Sequence, residues 1–138
     1  MEKSLVLIKP DAMARNLGCV ILSRIESKGM QLIGLKMLHV DRELAKDHYS
    51  IHEGKSFFEG LINYITSTHI IAAAFCGENA IQVIRDTMGS TDPMKAAKGT
   101  IRGDFGVDIE HNSVHGSDSV KNGEKEIGLF FSKRELFG

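Results

Sequence analysis

Four short apolar runs, separated by segments of helical periodicity, are the feature that most restricts the fold of this chain. They occupy residues 4–8, 32–40, 70–76 and 127–131, and each has the length and apolar content of a buried strand. Their order along the chain is β-α-β, then helices, then β-α-β. This order predicts an α+β domain of ferredoxin-like βαββαβ type, with a four-stranded antiparallel sheet and helices on one face.

The segments between these runs carry apolar residues at helical spacing and typical helix-ending residues. Asp41 is a plausible N-cap, and the glycines at 29 and 89 are well placed to end helices. The residues that mark the four predicted helices are Leu17, Val20, Ile21 and Ile25; Leu44, Ala45, His48 and Tyr49; Phe57, Leu61 and Ile65; and Ile81, Ile84 and Met88.

Length, composition and charge favour one soluble globular domain, residues 1–138. The chain is 42% hydrophobic and 25% charged, with a formal net charge of −1, so no overall positive field attracts nucleic acid or an anionic membrane. The N-terminal apolar run is too short for a signal peptide, and no run is long enough to cross a membrane. Cys19 and Cys76 lack paired ligand spacing, and we interpret them as reduced core residues of a cytoplasmic protein.

The segment from residue 89 to residue 126 does not fit the simple plan. It contains six glycines, many charges and little sustained periodicity. We predict a long functional loop before the last strand, because loops of this length in compact domains are usually functional or disordered. Within it, GTIRGDF at 99–105 places Arg102 between two glycines, and NSVHGSDS at 112–119 places His115 before a third. Lys95 and Lys98 add positive charge to the same segment.

Five motifs give the sequence a specific resemblance to one enzyme family. They are IKPD at 8–11, HYSIHEGKSFFEGL at 48–61, TDP at 91–93, KGTIRGDF at 98–105 and HGSDSVKNGEKEI at 115–127. In this order and spacing the chain resembles a nucleoside diphosphate kinase. The resemblance implies ping-pong transfer of the γ-phosphoryl group from a nucleoside triphosphate to a nucleoside diphosphate, with broad base specificity. We expect Mg²⁺ to enter with the nucleotide, because no cluster of carboxylates in the sequence offers a dedicated site, and we therefore assign no metal ligands in the protein.

The same resemblance assigns roles to residues of this chain. His115 matches the nucleophile that becomes phosphohistidine, and a histidine, whose ordinary pKa is about 6.5, is largely neutral and nucleophilic at cytoplasmic pH. Glu126 matches the carboxylate that holds its other ring nitrogen, and Ser117 matches the residue supporting that carboxylate. The matches for phosphate contacts are Lys9, Tyr49, Arg85, Thr91 and Arg102; Asn112 and Lys9 match the ribose contacts, and Phe57 and Ile109 match the pair that sandwiches the base.

The chain departs from the family pattern at two positions near the expected base site. Ser56 stands where many members have proline, and Ile51 stands where an acidic residue is usual. The chain also ends soon after the last predicted strand, without the longer tail of many eukaryotic members, and so resembles the bacterial type. Members with short tails occur as tetramers and as hexamers, so the resemblance implies a homo-oligomer of either size.

The same residues allow three other interpretations. His48 and His52 have the spacing of a helical zinc pair, but no third ligand is evident, so a helix surface or a phosphate lid is the better interpretation. A hydrolase using Ser117, His115 and Asp118 would need three sequence neighbours to converge, which a triad rarely does. A non-enzymatic ferredoxin-like module that binds nucleotide or RNA remains the alternative function, although the strands lack the basic and aromatic interleaving of an RNA-binding sheet.

Overall fold

The computed structural model describes residues 1–138 and contains a single four-stranded sheet. Its strands are β1 (Glu2–Ile8), β2 (Gln31–Leu38), β3 (Ile70–Gly77) and β4 (Val114–Gly116). They are arranged in the order β2-β3-β1-β4, and every neighbouring pair is antiparallel. This confirms the predicted ferredoxin-like α+β fold.

Seven α-helices and two short 3₁₀ turns complete the fold. The helices are α1 (Pro10–Ala14), α2 (Gly18–Glu26), α3 (Arg42–His48), α4 (Phe58–Ile65), α5 (Ala80–Met88), α6 (Ile101–Phe105) and α7 (Val120–Phe130). The 3₁₀ turns are Ser50–His52 and Lys133–Glu135. The carboxylate of Asp41 accepts a hydrogen bond from the Leu44 amide at 2.8 Å, which confirms the predicted N-cap. Gly89 follows α5 with a φ of +86°, as expected of a helix-ending glycine.

Apolar side chains fill both faces of the sheet, because successive residues of β1 point in opposite directions. Val6 and Ile8 join a core built with α2 and α5, whereas Leu5 and Leu7 join a second core built with α3, α4 and α7. The prediction that helices lie on one face was therefore wrong in this respect. A strand buried on both faces has a nearly continuous apolar run, and residues 4–8 have one.

The prediction of a last strand at residues 127–131 was wrong. These residues, apart from Phe131, lie in α7, where Gly123, Ile127 and Phe130 are buried at spacings of four and three residues. That is the spacing of one helix face. The fourth strand is instead Val114–Gly116, only three residues long, whose sequence VHG carries too short a pattern to indicate a strand.

The glycine-rich segment is consequently more ordered than the predicted loop. It contains α6, β4 and the first half of α7. The Thr100 hydroxyl caps α6 by accepting from the Gly103 amide at 3.0 Å. Both cysteines are unpaired; Cys19 is exposed and Cys76 is half-buried, so the prediction that both are core residues was wrong. None of the helices is long and apolar enough to cross a membrane.

Candidate active site

A cleft of about 720 Å³ opens beside β4 and is bordered by α3, α4, α7 and the segment that follows α5. Ten of the eleven residues predicted from the sequence line it, and the eleventh, Ser117, lies directly behind its wall. The ten are Lys9, Tyr49, Phe57, Arg85, Thr91, Arg102, Ile109, Asn112, His115 and Glu126. The fold therefore gathers residues that are separated by up to 117 positions in the sequence.

His115 is held at the floor of this cleft by a buried hydrogen-bond chain. It lies on β4 opposite Leu7, and its Nε2 is 3.0 Å from Oε1 of Glu126 on α7. The Ser117 hydroxyl donates to the same oxygen at 2.6 Å and accepts from the Leu5 amide at 2.9 Å. If Nε2 carries the proton that Glu126 accepts, the Nδ1 lone pair of His115 is left available to the cleft.

The charge of Glu126 is favoured by its partners. Burial on its own would raise the pKa of this carboxyl group, but the hydrogen bond and charge of His115 and the hydrogen bond from Ser117 outweigh burial and lower it. Glu126 is thus an ionised acceptor at neutral pH. The carboxylate can stabilise positive charge on the imidazole.

The hydrolase interpretation does not fit this geometry. The hydroxyl of Ser117 is fully buried and directed at Glu126, where no substrate can reach it. Asp118 instead accepts a hydrogen bond from the Asn122 amide at 2.6 Å. The three sequence neighbours therefore do not converge as a triad requires.

A strained turn just before β4 sets the direction in which the strand enters the site. Ser113 is fully buried and has a φ of +77°, a left-handed conformation that costs a non-glycine residue free energy. Its hydroxyl donates to Asp11 at 3.2 Å, and its carbonyl accepts from the Lys9 amide at 2.9 Å. The Tyr64 hydroxyl donates to the other oxygen of Asp11. Sequence reasoning did not identify Asp11, Ser113 or Tyr64 as supports of the site.

Lys9 follows β1 and enters the cleft next to Asn112. Its ammonium donates to the Asn112 side-chain oxygen at 2.8 Å, and the Asn112 amide donates to the Thr91 carbonyl at 3.0 Å. Burial, with the nearby charge of Arg102, lowers the pKa of Lys9 to about 8. A negatively charged ligand would relieve this unfavourable burial of positive charge.

Arg102 is a second buried cation of the site. Its terminal nitrogens donate to the carbonyls of Gly89 at 3.1 Å and Val114 at 2.8 Å, which fixes the guanidinium against the wall. Burial, followed by repulsion from Arg85, lowers the pKa of Arg102 to about 10. With Lys9 and Arg85, this residue makes one end of the cleft strongly positive, which suits phosphate oxygens.

The other end of the cleft is apolar and open. Phe57 lies just before α4 with 45% of its surface exposed, and Ile109 lies across the opening with 59% exposed. The loop carrying Ile109 is closed by a hydrogen bond from the Val107 amide to the His111 carbonyl at 2.8 Å. Ile51, one of the two departures from the family pattern, is 77% exposed and also lines the cleft. Two exposed apolar side chains facing one opening suit a flat aromatic ligand.

His48, which the sequence suggests is a helix-surface or phosphate-lid residue, lines the cleft. It does not lie on a helix surface, because its ring packs inside the cleft against the rings of His115, at a centroid distance of 4.8 Å, and Phe130, at 5.4 Å. Burial, and then the charge of His115, lower the pKa of His48 to about 3, so its imidazole is neutral. His52 packs against Phe57 instead, at 5.2 Å, so the two histidines do not form the zinc pair that their spacing suggested.

Tyr49 lies next to His48 and keeps its hydroxyl proton. Burial, and then the charge of Glu126, raise the pKa of Tyr49 to about 12. The hydroxyl can therefore donate a hydrogen bond into the cleft at any pH at which the protein would normally work.

Comparisons with known proteins agree with this geometry. The family model described as nucleoside diphosphate kinase matches residues 2–136. A nucleoside diphosphate kinase of Herpetosiphon aurantiacus is 53% identical over 99% of this chain and 91% of its own length. One from Dehalococcoides mccartyi is 54% identical over 99% of this chain and 96% of its own length.

Solved structures give the same result. The nucleoside diphosphate kinase of Halobacterium salinarum, solved in complex with CDP, superposes with a TM-score of 0.96 at 45% identity, covering 99% of this chain and 91% of that one. The Aquifex aeolicus nucleoside diphosphate kinase superposes with a TM-score of 0.95 at 36% identity, covering 98% of both chains. The fold and the sequence therefore agree along almost the whole chain.

Proposed function

Because the chain belongs to the nucleoside diphosphate kinase family, it is an enzyme that transfers phosphoryl groups between nucleotides, and we propose that it does so through a phosphohistidine at His115. The observation that carries the proposal is the fixed hydrogen bond between His115 Nε2 and Glu126. It leaves Nδ1 as the free nucleophile at the floor of a cleft whose walls are positive. The alternative of a non-enzymatic binding module is not favoured, since curated relatives over the whole chain are kinases.

In the first half-reaction Nδ1 of His115 attacks the γ-phosphorus of a nucleoside triphosphate. The N–P bond forms as the bond between phosphorus and the β,γ-bridging oxygen breaks, and the electron pair leaves on the nucleoside diphosphate. In the second half-reaction a terminal phosphate oxygen of another nucleoside diphosphate attacks the same phosphorus and His115 is released. Both substrates use one site in turn, which gives ping-pong kinetics.

Glu126 and Ser117 support the histidine in both directions. The phosphorylated imidazole is cationic while Nε2 keeps its proton, and the carboxylate at 3.0 Å stabilises that charge. Ser117 fixes the carboxylate through its hydrogen bond at 2.6 Å. These residues are already in position before substrate binds, so little reorganisation is needed during transfer.

The positive end of the cleft would bind and neutralise the phosphates. We assign this role to Lys9, Tyr49, Arg85, Thr91 and Arg102. Phosphoryl transfer depends mainly on positioning and on neutralising charge at the phosphate oxygens, and these side chains supply cations and directed donors for both tasks. Lys9 and Arg102 enter the reaction already buried, where their charge is less screened.

The apolar end of the cleft would bind the nucleoside. Phe57 and Ile109 would sandwich the base, while Asn112 and Lys9 would hydrogen-bond the ribose hydroxyls. Stacking tolerates any base, so broad base specificity follows. The CDP complex of the Halobacterium relative supports a nucleoside diphosphate as a ligand of this fold.

Family kinases act on nucleotides together with a divalent cation, and we propose that Mg²⁺ enters with the nucleotide here. The cluster of possible metal ligands in the cleft consists of two imidazoles and one carboxylate. Mg²⁺ prefers six oxygen ligands, so this cluster does not suit it, and the β- and γ-phosphates with water would hold the ion.

The domain, its location and its oligomeric state complete the proposal. We propose that residues 1–138 act as one catalytic domain in the cytoplasm, and that the chain forms a homo-oligomer, a tetramer or a hexamer. The edge strand β2 exposes Leu35 by 51% and Met37 by 61%, and a second chain would cover such an edge.

Mapping the phosphorylated residue tests the proposed chemistry. After incubation with ATP and Mg²⁺, intact-mass measurement should show one added phosphoryl group that is acid-labile and base-stable. His115→Asn should remove it, whereas His69→Gln, at an exposed histidine far along the sequence, should retain it. Phosphorylation that survives His115→Asn would contradict the assignment of the nucleophile.

A further inference from the structure

One buried polar atom in the cleft has no function in the reaction described above. The Nδ1 atom of His48 is buried and has no hydrogen-bond partner. Leaving such an atom unpaired is costly, so native proteins nearly always satisfy buried polar groups. The ring is fixed in place by its packing against Phe130 and His115. An unpaired nitrogen held this firmly is available to a ligand.

Two further donor residues lie close to the His48 ring. One ring nitrogen from each of His48 and His115 and one carboxylate oxygen of Glu126 lie within 4.8 Å of one another. The three residues come from α3, β4 and α7, so the cluster is fixed by three separate elements. Two imidazoles and a carboxylate are the ligand set of an open zinc site, in which a fourth position stays free for a small ligand.

The chemistry of these donors selects the metal. Imidazole nitrogen suits Zn²⁺, Co²⁺ and Cu²⁺, whereas Mg²⁺ and Ca²⁺ prefer oxygen. A tetrahedral zinc ion with bonds of about 2.0–2.1 Å needs its ligand atoms closer together than 4.8 Å, so the side chains must close slightly around it. The charges of Lys9 and Arg102 repel any cation, so only an ion held by strong nitrogen bonds would stay bound here.

We propose that His48, His115 and Glu126 form a binding site for a zinc-type transition-metal ion, and that the bound ion blocks phosphoryl transfer. A metal bound at Nε2 of His115 displaces the proton shared with Glu126. That proton moves to Nδ1, so the ring stays neutral but Nδ1 loses the lone pair that would attack phosphorus. The histidine and its carboxylate are then committed to the ion. The proposed inhibition rests on the function proposed above for His115. The proposed metal binding does not.

Metal binding is tested first, without nucleotide. Nucleotide-free, Mg²⁺-free protein is titrated with ZnCl₂ by calorimetry and with CoCl₂ by visible absorption. We expect one ion per chain and a tetrahedral Co²⁺ spectrum. His48→Gln should weaken binding at least about tenfold, since even outer partners of metal ligands contribute that much.

His69→Gln is the matched control, because it removes an exposed histidine outside the cleft. It should leave metal binding unchanged, and circular dichroism should show that both variants are folded. Failure of the wild-type protein to bind either ion would overturn the proposal. So would a His48→Gln variant that binds as tightly as the wild type, or an equal loss of binding in both variants.

Inhibition is tested by preloading the protein with Zn²⁺ and measuring phosphorylation of the chain by labelled ATP. We expect phosphorylation in the presence of Mg²⁺ to be suppressed and to recover after EDTA and excess Mg²⁺ are added. It should be less Zn²⁺-sensitive in His48→Gln than in His69→Gln, each compared with its own rate in Mg²⁺ without Zn²⁺. Metal binding at the cluster without suppression would overturn the inhibitory half. Absence of phosphorylation in Zn²⁺-free protein supplied with ATP and Mg²⁺ would instead contradict the function proposed for His115, which calorimetry alone does not test.

Discussion

Removing the charge of Glu126 while keeping its shape should slow phosphoryl transfer without weakening nucleotide binding. Glu126→Gln keeps an oxygen able to accept from His115 Nε2, where the wild-type distance is 3.0 Å, but it no longer carries a negative charge. A hydrogen bond to a charged group contributes about 1.5–3 kcal/mol, against about 1 kcal/mol for a neutral one. Loss of the whole contribution of about 1.5–3 kcal/mol would lower kcat by roughly 10- to 150-fold. This is the largest decrease expected, because the neutral hydrogen bond remains.

The decrease should appear in both half-reactions, because the same imidazolium forms in each. Rapid-quench measurement of His115 phosphorylation by ATP, and of its discharge by GDP, separates them. Glu124→Gln is the matched control, since Glu124 is exposed on the same helix and should leave both rates unchanged. Unchanged rates in Glu126→Gln, or a large rise in nucleotide Kd with unchanged transfer, would refute the assigned role of the carboxylate.

Other predictions concern the phosphate site and the packing of α7. Arg102→Ala should reduce kcat by roughly 10²–10³-fold, as removal of one donor that stabilises developing charge typically does, and steady-state kinetics with a normal melting temperature would establish this. The kcat/KM for nucleotide should fall as pH rises through about 8, because the free enzyme's Lys9 then loses its charge; a pH profile that is flat to pH 9.5 would contradict this. Gly123→Ala should lower the melting temperature, because the added methyl group would clash with the Lys3 carbonyl of β1, and overpacking of this kind costs about 1–3 kcal/mol.

Most of the fold could be predicted from apolar periodicity. Three strands and the main helices lie where the sequence indicates. The strands are nearly continuous apolar runs, and the helices have apolar residues along one face. Residues 127–131 were predicted as a strand, because a run of five apolar residues fits both a buried strand and the buried end of a helix. The buried positions Gly123, Ile127 and Phe130 show the helical period only when the window is extended toward the N-terminus.

Some residues of the site could be predicted from the sequence, and others could not. His115, Arg102 and Lys9 lie in glycine-rich or strand-end motifs that single them out, and the cleft contains all three. The sequence could not decide between a helix-surface and a phosphate-lid position for His48, because its place depends on how α3 packs against α7, which no local pattern encodes. Asp11 accepts from Ser113 across 102 positions and from Tyr64 across 53 positions, and only the folded chain reveals contacts at such separations.

The most direct measurement of the central claim is a burst experiment with purified protein, ATP and Mg²⁺ in the absence of an acceptor. The account predicts the immediate release of one ADP per chain, label retained on His115, and discharge of that label as GTP when GDP is added. Continuous release of ADP would indicate hydrolysis. No release would indicate a binding protein, and either result would contradict transfer through His115.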